Sequence, residues 1–116
     1  MTSQQNRQSD YMERMLNAAG QAKSYIGTMT KEDFLADTKT QDAVIMKLLV
    51  IGELAAQLLE DHKEFAANCP TIPWSQMKGM RNRMAHGYFE LDMDIVWDTV
   101  QKAIPDLEAN LRSISL

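Results

Sequence analysis

The chain contains 116 residues, of which 45% are hydrophobic and 24% are charged. This length fits one domain over residues 1–116, large enough to bury a hydrophobic core without cross-links. Twelve Lys and Arg residues against 16 Asp and Glu residues give a formal net charge of −4. On net charge alone, the sequence argues against a generic nucleic-acid-binding protein, which would be basic.

The cysteine and histidine content excludes further classes of protein. Cys69 is the single cysteine, so no internal disulfide can form, and with two histidines the chain has no zinc-ligand spacing. We therefore expect no metal site and a reducing, cytoplasmic environment. Residues 1–10 lack the apolar segment of a secretory signal, and no uncharged apolar run approaches the roughly 20 residues of a membrane span.

Five Gly, three Pro and nine Met residues favour an all-helical protein. The first predicted helix covers residues 9–26, where apolar residues recur at the three- and four-residue spacing of one helix face. Gly27 follows directly and favours the left-handed conformation that ends many helices. Residues 1–8 are expected to form a frayed tail.

Thr30 and Asp33 have the spacing of a capping box, in which each side chain accepts a hydrogen bond from the other residue's backbone amide. This capping box predicts a short helix over residues 31–37. Phe34 and Leu35 are expected to turn toward the core from this helix.

The longest predicted helix covers residues 41–65 and is capped by Thr38 or Thr40. Its residues 43–59 are apolar around almost the whole circumference, so the helix must be covered on several sides. A second copy of the chain would supply this cover in a bundle with few helices, so we expect a two-fold homodimer. The alternative is a central helix that is covered within the monomer.

Two further helices are predicted in the second half of the chain. Pro73 is placed to open a helix over residues 74–85, and Asp92 is placed to cap the last helix. Pro105 should kink or split this last helix near residues 101–104. The apolar stripe of the last helix consists of Val96, Val100, Ala103, Leu107, Leu111 and Ile114. Together these patterns predict an all-α bundle of four main helices plus one short helix.

Positive charge is concentrated in one short segment of this acidic chain. Lys78, Arg81 and Arg83 occur without an intervening acid, and His86 follows three residues later. A local cluster of this kind can bind one or two phosphates although the whole chain is acidic, and it is therefore the candidate functional site.

An Arg and a His that converge on one phosphodiester would suit cleavage of RNA. Arg81 and His86 lie about 140° apart around an ideal helix, so they converge only if the helix ends or unwinds between them, which Gly87 favours. The imidazole shuttles a proton near neutral pH, and the guanidinium stabilises developing charge on the phosphate. Attack by the RNA 2′-hydroxyl would exclude DNA. The alternative is that both residues only oppose the helix dipole.

Other polar residues are candidates for supporting roles. Lys78 and Arg83 are expected to contact RNA phosphates, and Asn82 and Arg83 to support the site. Glu53 stands in the apolar segment of the long helix, where an unpaired charge would be costly. It is expected either to orient an active-site Arg or His, or to form a salt bridge that only fixes packing. Its candidate partners in such a bridge are Lys47, Arg81 and Arg83.

The remaining distinctive side chains are assigned to the surface or the core. His62, which stands among charged residues at a helix end, is expected to be solvated. The two tryptophans are expected to pack in the core, with stacking on an RNA base as the alternative. The methionines and tryptophans that we expect to pack in the core are Met12, Met15, Trp74, Met77, Met80, Met84 and Trp97.

The segment Arg81-x4-His86-x-Tyr88 resembles the Arg-x4-His-x-Tyr signature of the HepT-like toxins, members of the HEPN superfamily. The resemblance extends over residues 11–111, which makes it much more specific than an isolated Arg-x4-His. The matching blocks, in chain order, are KTQDAV (39–44), IGE (51–53), IPW (72–74), GMRNR (79–83), HGYF (86–89) and DIVW (94–97).

This resemblance implies an all-α bundle of four to five helices that dimerises and places the Arg/His motifs of both subunits around a shared cleft. It implies the activity of a metal-independent endoribonuclease, with Arg81 and His86 at the catalytic positions. HEPN nucleases often carry a supporting polar residue on the second long helix, and Glu53 is the candidate for this role.

The resemblance also implies a partner protein. HepT-like toxins are usually paired with a minimal nucleotidyltransferase antitoxin of the MntA kind, which transfers AMP from ATP to the motif tyrosine, here Tyr88. The chain itself would need no cofactor, because the antitoxin uses the ATP. The added phosphate could pair with Arg81 and block RNA. Two alternatives are a non-catalytic dimeric HEPN binding module that serves as scaffold and substrate of the nucleotidyltransferase, and a purely structural helical subunit.

Overall fold

The computed structural model describes residues 3–87 and 90–114, without the side chains of residues 4 and 5, and these ranges form helices joined by short loops. The all-α prediction is therefore confirmed. No helix within these ranges is long and apolar enough to cross a membrane. In chain order the elements are α1 (Ser3–Ile26), α2 (Lys31–Leu35), α3 (Thr38–Asp61), α4 (Lys63–Ala67), α5 (Trp74–His86), α6 (Met93–Asp98), a π-helical turn (Thr99–Ala103) and α7 (Ile104–Arg112).

Helix α3 is the centre of the bundle. Helices α1 and α5 pack along different sides of α3, and α7 returns to pack against α1. A groove of about 550 Å³ separates α5 from the segment α6–α7, and its floor includes Leu48 and Ile51 of α3. The described residues thus form four main helical segments and two short helices, α2 and α4, where the sequence predicted one short helix.

Helix α1 begins at Ser3 and not at Ser9, so residues 3–8, predicted to be frayed, are helical. The Gln8 side chain lies 3.1 Å from Nδ1 of His62, a contact that gives the first turns of α1 a partner at the end of α3. At the other end of α1, Gly27 has a φ of 55°, which confirms the predicted left-handed residue.

The capping box at the start of α2 is confirmed. The Thr30 hydroxyl accepts a hydrogen bond from the Asp33 amide at 3.1 Å, and the Asp33 carboxylate accepts one from the Thr30 amide at 3.2 Å. Phe34 is fully buried as predicted, but Leu35 is 42% exposed. Consecutive residues of a helix point about 100° apart, so this short helix turns only one of the two side chains inward.

The N-cap of α3 is Asp37, where the sequence predicted Thr38 or Thr40. The Asp37 carboxylate accepts hydrogen bonds from the Thr40 amide at 3.1 Å and from the Thr40 hydroxyl at 2.8 Å. These bonds stabilise the ionised carboxylate and hold the pKa of Asp37 below its ordinary value. Because Asp37 caps α3, the short helix α2 stops at Leu35 instead of continuing to residue 37.

His62 separates α3 from α4, so the long helix ends at Asp61 and not at residue 65. His62 is 7% exposed, and its prediction as a solvated residue is wrong. The ring of Tyr11 packs edge-on against the imidazole at a centroid distance of 5.9 Å. The cover comes from α1, about 50 residues away in sequence, which the local charge pattern around His62 does not reveal.

The last helix is capped by Asp92, which accepts a hydrogen bond from the Asp94 amide at 2.9 Å, as predicted. The π-helical turn before Pro105 confirms the predicted irregularity, since proline has no N–H with which to continue the regular pattern. This turn accommodates one extra residue. Ile104 consequently takes the buried position that the stripe assigned to Ala103, and Ala103 is exposed.

A buried carboxylate joins α7 to α1. Glu108 is 5% exposed. It accepts a hydrogen bond from Lys23 Nζ at 2.8 Å, and Arg112 lies 3.8 Å from its other oxygen. A buried charge without partners would be strongly destabilising, so this pairing is what permits Glu108 to face the core.

Candidate active site

Arg81 lies on α5 where this helix crosses α3. Its Nη1 donates a hydrogen bond to Oε2 of Glu53 at 3.0 Å. The Arg81 side chain is 26% exposed and the Glu53 side chain 51% exposed. Glu53 therefore lies at the surface of the helix and not in apolar surroundings, and its partner among the three predicted cations is Arg81.

The Arg81 guanidinium has donors beyond the bond to Glu53. A guanidinium carries five N–H groups in a planar fork. Its Nε is buried and, in the part of the chain that the structure describes, has no hydrogen-bond partner. The Nη groups are accordingly the end of Arg81 that an incoming anion can reach. Glu53 thus holds a half-buried cation at the surface, an arrangement suited to binding a phosphate.

His86 is the last residue of α5, and the helix is unbroken between Arg81 and His86. The Gly87 amide continues the helical pattern and donates to the Arg83 carbonyl at 2.7 Å. The expectation that α5 unwinds and lets Arg81 and His86 converge within one chain is therefore wrong. His86 is exposed and lines a cavity of about 420 Å³ together with Arg83 and Met84. Arg81 instead faces Glu53.

The basic cluster is divided between two sides of α5. Lys78 and Asn82 are one turn apart on the exposed side of the helix next to Arg81. Arg83 is exposed on another side, where it lines both the groove beside α7 and the cavity at His86. His86, four residues after Asn82, lies between these two sides, so the basic residues are spread around much of α5. Tyr88 lies outside the described residues.

The outer face of α3 next to this site is mostly apolar and only partly covered within the chain. Met46 is 56% exposed. Leu49 and Val50 are half-buried and Glu53 is exposed, so these four residues form one helix face at the spacing i, i+3, i+4 and i+7. Helices α1 and α5 cover other sides of α3. The predicted all-round cover is therefore only partly supplied within one chain.

Both tryptophans pack against the core, with Trp74 buried and Trp97 half-buried. Trp74 Nε1 donates to the carbonyls of Ala66 and Cys69 at 3.1 and 3.2 Å. Trp97 packs against Phe34 at a ring-centroid distance of 5.6 Å. Burial raises the pKa of the Cys69 thiol, which disfavours the reactive thiolate. Within residues 3–87 and 90–114, no three His, Cys, Asp or Glu side chains are grouped to hold a metal ion.

Gly52 is a structural component of the site for which the sequence pattern predicted no role. It is buried at the crossing of α3 and α5, directly beneath Arg81. The signal available in the sequence is a glycine within the apolar segment 43–59 of the long helix, immediately before Glu53, the single acid of that segment. That signal does not identify the helix that crosses at this point.

The fold and these residues define a class of protein. A helical bundle carries an Arg-x4-His motif at the end of α5, and the Arg of this motif bonds to an acid on the central helix. The helical fold agrees with the fold that the resemblance to HEPN nucleases implied. Residues 15–114 match the family described as ribonuclease HepT-like. The chain belongs to this HepT-like family of the HEPN superfamily.

Similar proteins match most of the chain. A protein of Thermococcus cleftensis named "Probable ribonuclease HepT" is 36% identical over 90% of this chain and 93% of its own length. A "Putative RNase" of Caldanaerobacter subterraneus is 32% identical over 90% of each chain. A "Putative RNase" of Methanocaldococcus jannaschii is 40% identical over 71% of this chain and 65% of its own length. No solved structure matches the chain significantly.

Proposed function

We propose that this protein is a metal-independent endoribonuclease whose site contains Arg81 and His86. The observation that carries the proposal is the Arg81–Glu53 pair, which holds a guanidinium at the surface of the helix that ends in an exposed His86. Membership of the HepT-like ribonuclease family and the names of the relatives support the same activity.

The two side chains have complementary roles in the proposed reaction. His86 takes the proton of a ribose 2′-hydroxyl, whose oxygen then attacks the adjacent phosphorus. The bond to the 5′-oxygen breaks, this oxygen takes a proton from water, and a 2′,3′-cyclic phosphate remains. Arg81 stabilises the negative charge that develops on the phosphate oxygens. Lys78 and Arg83 bind neighbouring phosphates, and Asn82 supports the site.

A homodimer would complete this site. The outer face of α3, formed by Met46, Leu49, Val50 and Glu53, lies directly beside Arg81 and is suited to pack against a second copy. Since Arg81 and His86 of one chain lie on different sides of α5, we place the partner's α5 opposite Arg81. Each of two equivalent sites then combines Arg81 of one subunit with His86 of the other.

The activity is tested with purified protein whose intact mass shows no modification. It is expected to cleave single-stranded RNA in the presence of EDTA and to leave DNA of the same sequence intact, because DNA lacks the attacking hydroxyl. Gel electrophoresis of end-labelled RNA, followed by treatment that opens cyclic phosphates, identifies both the cut and its chemistry. If cleavage required added metal, or were absent, the proposed mechanism would be wrong and a binding role would remain.

The proposed biological role is that of a cytoplasmic toxin whose antitoxin is a minimal nucleotidyltransferase. The Tyr88 oxygen would attack the α-phosphorus of ATP in the antitoxin's site, pyrophosphate would leave, and the hydroxyl proton would pass to the antitoxin or to solvent. The new phosphodiester carries a negative charge two residues from His86. It would compete with RNA phosphate for the Arg81 guanidinium.

Incubation with such a nucleotidyltransferase and ATP should add the mass of one AMP group per modified tyrosine and should suppress RNA cleavage. The Tyr88→Phe variant should keep the unmodified mass and remain active, because it lacks only the acceptor oxygen. Intact-mass spectrometry and the RNA assay, run on the same samples, measure both effects. An AMP group on Tyr88→Phe, or full cleavage by the modified protein, would contradict this form of regulation.

A further inference from the structure

Gly52 marks the closest approach of α3 and α5. A Cβ atom added at Gly52 would collide with Cβ of Arg81, and it would lie 3.2 Å from Cγ of Arg81 and 2.9 Å from the carbonyl oxygen of Met77. Real Cβ atoms essentially never have contacts below 3.0 Å. Two of these three neighbours are backbone or directly attached to it, so the rotation of a flexible side-chain end cannot relieve the clash. Any larger residue would displace α5 from α3.

We propose that Gly52 is a positioning residue for Arg81, a role that rests on the proposed function of Arg81 in RNA cleavage. Gly52 and Glu53 are consecutive on α3 and act on opposite ends of the same side chain. The bare backbone at Gly52 receives the Arg81 stem, and Glu53 binds the guanidinium through Nη1 at 3.0 Å. Together they fix the direction in which the guanidinium leaves α5.

The other helical glycines show that this contact is particular to Gly52. Glycine in the middle of a helix is unfavourable relative to alanine, so a close contact is a physical reason for its presence. A Cβ at Gly20 of α1 would meet nothing within 4 Å, and one at Gly79 would meet only the end of Arg83 at 3.7 Å, an ordinary contact. Gly20 therefore provides a matched control for a Gly-to-Ala change.

The position of Arg81 can be measured without RNA, through the rate at which phenylglyoxal modifies its guanidinium. In Gly52→Ala the Arg81 stem must move, the bond to Glu53 should be lost, and modification of Arg81 should become several-fold faster. Peptide mass spectrometry measures this rate, with the exposed Arg83 of the same molecule as the internal reference. Glu53→Gln should likewise accelerate the modification of Arg81, and Gly20→Ala should leave the modification rate of Arg81 unchanged. An unchanged Arg81 rate in folded Gly52→Ala would overturn the proposal.

The RNA assay separates positioning from a general loss of stability. Folded Gly52→Ala should lose at least tenfold in kcat, because the misplaced guanidinium no longer meets the developing charge. Ile45→Val, a small core change on the same helix, should lower the melting temperature and keep kcat. An unchanged kcat in folded Gly52→Ala would also overturn the proposal. If the unmodified wild-type protein does not cleave RNA at all, the proposed function fails, while the phenylglyoxal rates still test the placement of Arg81 by Gly52.

A thermal-unfolding cycle covers the case in which Gly52→Ala folds but is too unstable for the RNA assay. Arg81→Gly removes the Cβ and Cγ atoms against which the new methyl group would collide. The drop in melting temperature caused by Gly52→Ala should therefore be much smaller in the Arg81→Gly chain than in the wild type. Equal drops in the two backgrounds would show that Arg81 does not rest on Gly52, and would refute the proposal.

Discussion

Replacement of His86 by Ala is expected to reduce the rate of RNA cleavage by about 10²- to 10⁴-fold, the usual contribution of a positioned general acid or base. The fold should be unaffected, because His86 is exposed at the end of α5. Arg81→Ala is expected to cost roughly 10²- to 10³-fold through lost stabilisation of the developing charge. Single-turnover cleavage of labelled RNA in EDTA measures both rates, and circular dichroism establishes that the variants are folded.

The chain offers a matched control for each substitution. His62, the other histidine, is buried against Tyr11 at the junction of α3 and α4. Arg14 is exposed on α1, where it pairs with Asp10 at 2.9 Å. His62→Gln and Arg14→Ala should keep the wild-type cleavage rate per folded molecule. Wild-type rates in His86→Ala and Arg81→Ala as well would show that the site lies elsewhere.

The features that the sequence predicted correctly depend on interactions between near neighbours. The Thr30–Asp33 capping box, the Asp92 cap, the left-handed Gly27 and the irregular turn before Pro105 each involve residues at most a few positions apart. Such interactions are encoded in the local order of side chains, because the backbone geometry of a cap or a turn is the same in most folds. From these local interactions, most helix boundaries were predicted to within a few residues.

The features that the sequence did not predict depend on distant parts of the chain. His62 is buried because α1 covers it with Gln8 and Tyr11. Glu108 is buried because Lys23, 85 residues earlier, supplies its counter-charge. In both cases a polar residue in a polar local context faces the interior. Whether such a residue is buried depends on how whole helices pack, whereas the polar residues around it in the sequence favour exposure.

For the candidate site, too, the sequence predicted the local features but not the contacts between distant helices. The motif identified Arg81 and His86 as the residues with suitable chemistry, and the apolar context of Glu53 marked it as unusual. Their relative placement depends on the crossing of α3 and α5, which brings Glu53 to Arg81 while the unbroken helix keeps His86 on another side. A spacing of five residues allows the two side chains either to converge or to lie apart. Which of these occurs depends on whether the helix continues between Arg81 and His86.

That separation leads to the second large expected effect: two inactive variants should recover activity when their subunits are exchanged. After equal mixing of Arg81→Ala and His86→Ala, half of the dimers contain one subunit of each kind. If a site combines Arg81 of one subunit with His86 of the other, one of the two sites in such a dimer is intact. The mixture should then reach roughly a quarter of the wild-type rate, many times the rate of either variant alone.

The outer face of α3 provides the control for this recovery. Val50 is half-buried beside Glu53, so Val50→Glu should leave the monomer folded while placing an added charge next to an acid in the proposed interface. Introduced into both variants, Val50→Glu should yield monomers by light scattering and abolish the recovery. A mixture that stays inactive, although native mass spectrometry shows mixed dimers, would mean that Arg81 and His86 act within one subunit. The partner would then contribute only the cover of α3, and RNA would have to bridge two sides of α5.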